Sequence, residues 1–192
     1  MAEGPLAELQ RRHAVEVIWL PYELRPEPVP LPDMTGPALA RFRASWERGV
    51  VPLAARYGVE MHFPPHKPRS RWAHEAAEFA RDRGCFDAMR VALFRAYFVA
   101  NRDLGDPEVL VDVATSVGLD GLELRAALAE GRYTARVREL EALSAQLGVQ
   151  AVPTMIFGDA VVVEGAQPYS VLRQAYELAV SGAADREPAP GE

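Results

Sequence analysis

Sequence of β character occurs at only two places in this chain, and helical periodicity fills the long stretch between them. The first place is Ala14–Leu20 (AVEVIWL), which is apolar and β-branched, reads as a buried strand, and is ended by Pro21. The second is the pair AVPTMIF and AVVVEG, residues 151–157 and 160–165, separated by Gly158-Asp159, a hairpin signal. Strands so far apart, with helices between and one helix after, are most simply an α/β domain carrying a helical insertion. No internal repeat is present.

The helical readings rest on spacing and end signals. PLAELQRRH is a short helix with Leu6 and Leu9 on one face and Arg11, Arg12 and His13 at its end, where positive charge suits the dipole. The proline-dense YELRPEPVPLPDMTGP is extended loop. From Pro37, Leu39, Phe42, Trp46 and Val50 recur at helical spacing, with Pro52 expected to break or kink the helix and Gly58 to end it. SRWAHEAAEFARDRG is an alanine-rich helix stopped by Gly84, followed by the strongly apolar CFDAMRVALFRAYFVANRD. Asp106 with Pro107 starts a fifth helix, and Asp120 with Glu123 has the form of a capping box. A further amphipathic helix ends at Gly148, and QPYSVLRQAYELAVSG closes the chain before the tail AADREPAPGE, which is expected to be disordered. Leu93, Phe94, Tyr97, Leu110, Leu124, Leu128 and Leu140 are the expected core of the helical block.

Composition excludes several classes. Of 192 residues, 27 are acidic and 21 basic, giving a net charge of −6, so the chain has no electrostatic case for binding nucleic acid. A single cysteine, Cys85, rules out an intrachain disulfide, a two-cysteine redox motif and a cysteine-rich zinc site within these residues. The four histidines have no metal-ligand spacing, so no metal is expected. No apolar run reaches the roughly 18 residues of a membrane helix. MAEGPLAELQRRH lacks the apolar stretch of a signal peptide, and the expected location is cytoplasmic.

Three separated segments carry a family likeness in the right order: WLPYELRPE, then ALFRAYFVANRDLGDPEVLVDVATSVGLDGLELRAAL, then LGVQAVPTMIFGDAVVVEGAQP. The chain resembles the DsbA-like thioredoxin superfamily, in its FrnE-type and 2-hydroxychromene-2-carboxylate-isomerase-type branch, from about Leu6 to Val180. The resemblance implies a thioredoxin-like fold with an α-helical insertion. Its expected divisions are 1–65 and 148–181 for the thioredoxin-like part, 66–147 for the insertion and 182–192 for the tail. It also implies thiol–disulfide exchange through Cys-x-x-Cys, or glutathione-dependent isomerisation or transfer with a serine in that place. Neither cysteine nor serine occurs before Ser45. The matched positions place the first strand and the catalytic helix start upstream of Met1, so the fold is expected to be N-terminally truncated here and redox-inactive as it stands. A third reading, from another class, is a non-catalytic peptide-binding module.

The resemblance points to Pro153 as a cis proline beside the active site, with Val152 and Thr154 as substrate-groove residues. Trp19 and Tyr22, flanking Pro21 at the strand's end, join them by position, although core packing is the plainer reading of Trp19. Cys85 beside Gly84 has two readings, a reactive thiol at a helix start and a small boundary residue, and its place in the insertion favours the second. The loop PHKPRSR, with His66, Arg69, Arg71 and His74, is either an anion site, for a glutathione carboxylate for example, or a solvated loop. Arg95, Tyr97 and Phe98 on the most apolar helix either line a cleft or serve packing. Expected partners are protein or peptide thiols and disulfides, or glutathione; a homodimer is left open.

Overall fold

The computed structural model describes residues 2–158 and 161–184. In chain order the elements are α1 (Glu3–Arg12), α2 (Gly36–Arg56), α3 (Arg71–Arg81), α4 (Phe86–Phe98), α5 (Pro107–Ser116), α6 (Gly121–Ala129), α7 (Thr134–Gln146), β1 (Thr154–Phe157), β2 (Val161–Glu164) and α8 (Tyr169–Ala184). They form two units, one from the residues up to Trp19 together with those from Gly148 onward, the other from Leu20–Leu147. The unit boundaries fall at Leu20 and at Gly148.

In the first unit α1 packs on α8, and α8 covers the hairpin. β1 and β2 are antiparallel, with Met155 opposite Val163 and Phe157 opposite Val161. These four side chains face Leu6, Leu9, Leu172 and Ala175, the buried centre of the unit. The Gly165 N–H donates to the Pro153 carbonyl at 2.8 Å, which makes Pro153 and Gly165 a hydrogen-bonded pair. Such pairs alternate along an antiparallel ladder, so Met155 and Phe157 bond to β2 while Thr154 and Ile156 turn their N–H and C=O groups away from it. Asp159, half of the hairpin signal, lies outside the described residues, as does the tail beyond Ala184. Gly182–Ala184, expected in the disordered tail, belong to α8.

The expected strand at Ala14–Leu20 does not form. The segment is irregular, and the only sheet among the described residues is the two-stranded hairpin. Its side chains nevertheless alternate: Val15, Val17 and Trp19 pack on the Leu9–Leu172 cluster, while Ala14, Glu16 and Ile18 are exposed, Ile18 by 74%. The hydrophobic pattern fixes which side faces the core, but a ladder needs a neighbour's backbone, and no described strand pairs with this segment.

In the second unit α3 packs against α4, α5, α6 and α7. Its alanines 73, 76, 77 and 80 allow close approach around Phe79, and Met89, Leu93, Leu110, Leu124 and Leu128 complete the core. Phe94 is a correction to the expected core: it is 46% exposed and stacks on Phe98. Tyr97 and Leu140 are half-buried. α2 continues through Pro52 to Arg56 instead of breaking, and only Ala54 on it is buried. The local end signals act as read, with Asp106 accepting from the Glu108 N–H and Asp120 from those of Leu122 and Glu123. The Glu123 carboxylate turns to Arg83 instead of closing the capping box.

Candidate functional site

The loop after α7 leaves the helix at Gly148, whose φ of 76° suits a residue without Cβ. It then enters β1 through Val152, Pro153 and Thr154. The Val152–Pro153 peptide is cis. Two bonds hold the far side of the loop, the Gly165 N–H to the Pro153 carbonyl at 2.8 Å and the Thr154 hydroxyl to the Ala151 carbonyl at 2.7 Å. Val152 itself is 47% exposed. Its N–H and C=O have no hydrogen-bond partner among the described residues. Among the described residues this leaves one donor and one acceptor unpaired beside the edge of β1 that β2 does not cover, an arrangement that suits an extended peptide backbone.

Trp19 lies in the same unit and packs on its apolar cluster. Tyr22 belongs to the other unit, half-buried, with its carbonyl accepting from the ring of His74. The expected groove residues therefore divide into Trp19, Val152, Pro153 and Thr154 in one unit and Tyr22 in the other.

The loop PHKPRSR is neither a free cation patch nor simply solvated. Arg69 donates to the carbonyls of Arg25 and Val29 at 2.9 and 3.1 Å, which ties down the proline-dense segment. Lys67 holds its ammonium 5.9, 5.7 and 6.0 Å from the ring centres of Trp46, Phe63 and Tyr97. Burial lowers its pKa from the ordinary lysine value. His66 sits 3.7 Å from Asp103. Burial, with Asp103 nearby, pushes the Tyr97 hydroxyl up to about 12, and that hydroxyl donates to the His66 carbonyl. Arg95 and Arg102 border an open groove of about 370 Å³ between α4 and α5, in which Arg102 is bound to Asp112. Cys85 is the N-cap residue of α4, part-buried against the core of the second unit.

Sequence reading missed a polar node in the second unit. Arg71, the first residue of α3, donates through Nε to Glu23 and through Nη2 to Glu141 of α7, the latter at 3.0 Å. The Glu23 N–H donates to the other Glu141 oxygen at 3.0 Å. Burial first, and the Glu23 carboxylate next, push the Glu141 carboxyl above its ordinary pKa. Burial pushes His74 down to about 4. No local signal pairs positions 23, 71 and 141; only the fold brings them together. Among the described residues no group of acidic, histidine or cysteine side chains is arranged to hold a metal, and no helix is long and apolar enough to cross a membrane.

Comparison with known proteins fits this architecture. The model of the DSBA-like thioredoxin domain matches residues 1–177. An uncharacterized protein of Bacillus subtilis, YwbO, is 33% identical over 171 residues, covering 87% of this chain and 82% of its own length. The crystal structure of a probable DsbA oxidoreductase from Streptomyces coelicolor superposes with a TM-score of 0.76 at 29% identity, over 99% of this chain and 85% of that one. A 2-hydroxychromene-2-carboxylate isomerase, 18% identical over 97% of this chain and 92% of that one, has a TM-score of 0.69 and supports the fold. On this match over nearly its whole length, the chain belongs to the DsbA-like thioredoxin domain family.

Proposed function

We propose that this chain serves thiol–disulfide chemistry as its substrate-holding part, with an extended peptide pairing through the main chain of Val152. The observation that carries the reading is the pair of unpartnered Val152 backbone groups beside the open edge of β1. Membership of the family and the likeness to a probable DsbA oxidoreductase support the choice of chemistry. Dithiol exchange proceeds through a mixed disulfide that a second thiol resolves, and these 192 residues contain one cysteine. By themselves they therefore bind without turning over. Glutathione is a small ligand of the same kind, a peptide bearing a thiol.

The test is an amide titration of the ¹⁵N-labelled chain with an unfolded, disulfide-containing peptide. Saturable shifts at Val152, Thr154 and Ile156 are expected. Saturable binding that leaves these amides unmoved, or no binding at millimolar peptide, contradicts the reading.

A further inference from the structure

Lys67 is the only lysine of the chain, and it sits among rings instead of acids. Its ammonium lies 5.9, 5.7 and 6.0 Å from the ring centres of Trp46 on α2, Phe63 in the loop before α3, and Tyr97 on α4. These rings form one cluster. Trp46 meets Phe63 edge-on at 5.9 Å and stacks on Phe98 at 6.1 Å, and Tyr97 meets Phe98 at 4.8 Å. Phe94, stacked on Phe98 and 46% exposed, carries the cluster out to solvent. Two hydrogen bonds fix the loop of Lys67 to α4: the His62 N–H donates to the Phe98 carbonyl at 2.7 Å, and the Tyr97 hydroxyl to the His66 carbonyl at 2.8 Å. All of these residues belong to the same unit.

Charge at this place is one-sided. The nearby acids are engaged elsewhere, Glu60 with His62, Asp103 with His66 and Glu27 with Arg69. Lys67 makes no ion pair with any described residue. The charged groups that face it are cations. Arg25 is close enough to disfavour a second positive charge, and Arg43 shares the Phe63 ring with Lys67, its guanidinium 5.0 Å from the ring centre. An amine is made nucleophilic by an apolar surround or by a neighbouring cation, and both are present here. The rings themselves attract an ammonium, but 5.7–6.0 Å is the outer limit of that attraction.

We propose that Lys67 is an imine-forming amine for aromatic aldehydes that carry a negative charge, with Trp46, Phe63 and Tyr97 as the apolar floor and Arg25 and Arg43 as the cations that select the anion. The ammonium first gives a proton to solvent. The free amine then attacks the carbonyl carbon, a C–N bond forms, and the carbonyl π electrons pass to oxygen. After proton transfer from nitrogen to oxygen the hydroxyl takes a proton from solvent and leaves as water, which gives C=N with no change of oxidation state. Burial first, and Arg25 next, lower the pKa of this amine, which agrees in direction. The inference does not depend on what the Val152 loop binds.

Labelling of the intact chain at neutral pH with 4-formylbenzoate, trapped with cyanoborohydride and read by peptide mass spectrometry, tests it. The N-terminal amine is the internal reference. The ratio of Lys67 labelling to N-terminal labelling should be several-fold higher in the folded chain than in concentrated guanidinium chloride. In the folded chain it should also be higher for 4-formylbenzoate than for benzaldehyde or propanal, and Phe63→Leu and Arg43→Gln should each reduce it. A ratio in the folded chain that is equal to or below that of the denatured chain overturns the proposal, and this comparison needs no variant. So do equal ratios for the three aldehydes, or a preference that both variants leave intact.

Discussion

At the scale of single residues, His74 couples the fold to acid. Its ring donates to the Tyr22 carbonyl, and burial holds its pKa at about 4 against an ordinary 6.5. A folded value below the unfolded one means that this contribution to stability is fully present above pH 6.5. Stability is then lost as the pH falls from 6.5 through 4, by at most about 3 kcal/mol. Urea unfolding at intervals between pH 7 and 4 should show this decline, and His74→Gln, which keeps a donor for Tyr22 but cannot charge, should flatten it. Equal slopes in the two proteins would mean that the ring is not shielded. Gly121 illustrates a second residue-scale constraint. A Cβ there meets the Thr115 hydroxyl at 2.7 Å and Val111 Cγ1 at 2.8 Å, and the hydroxyl is pinned by its bond to the Val111 carbonyl. Gly121→Ala should therefore cost about 1–3 kcal/mol in chemical denaturation, despite alanine's better helix propensity. A neutral or stabilising result would show that α5 and α6 can separate freely. The caps at Asp106 and Asp120 were legible because a capping carboxylate and the N–H that donates to it lie within three residues. The node at Glu23 was not, because its amide bond spans 118 positions.

At the scale of elements, the segment Ala14–Leu20 separates two things that usually coincide. Its alternation of buried and exposed side chains is that of a strand, and it can be read from sequence because it depends only on which residues are apolar. Its ladder cannot be read, because pairing depends on a second backbone. Side-chain burial then predicts a contrast between neighbours. Val17→Ala removes packing on the Leu9–Leu172 cluster and should destabilise by about 1–2 kcal/mol, whereas Ile18→Ala, at an exposed position, should stay within about 0.5 kcal/mol. Equal costs at the two positions would mean that the alternation does not describe this segment in solution. α2 makes a similar point: Pro52 is a strong breaker in general, yet the helix runs past it to Arg56. Phe94 was misplaced for a related reason. Helical spacing identifies an apolar face without saying whether the core or an aromatic surface cluster receives it, and here Phe98 does.

At the scale of the whole molecule, three separated segments in the right order were enough to indicate the family, since a family match depends on pattern along the chain and not on the completeness of its sheet. Chemistry is a stricter matter. Thiol–disulfide turnover requires an attacking thiolate and a thiol to resolve the mixed disulfide. The single thiol here stands at the start of α4, part-buried against a helical core, in a different unit from the Val152 loop. Binding is thus proposed for the Val152 main chain, and no dithiol turnover is expected of these 192 residues alone. The most direct measurement is reduction of insulin disulfides by the purified chain with dithiothreitol as the reductant, run beside Cys85→Ser and a protein-free control. The account predicts the same rate in all three. A rate well above the control that disappears in Cys85→Ser would contradict it and identify Cys85 as a working nucleophile.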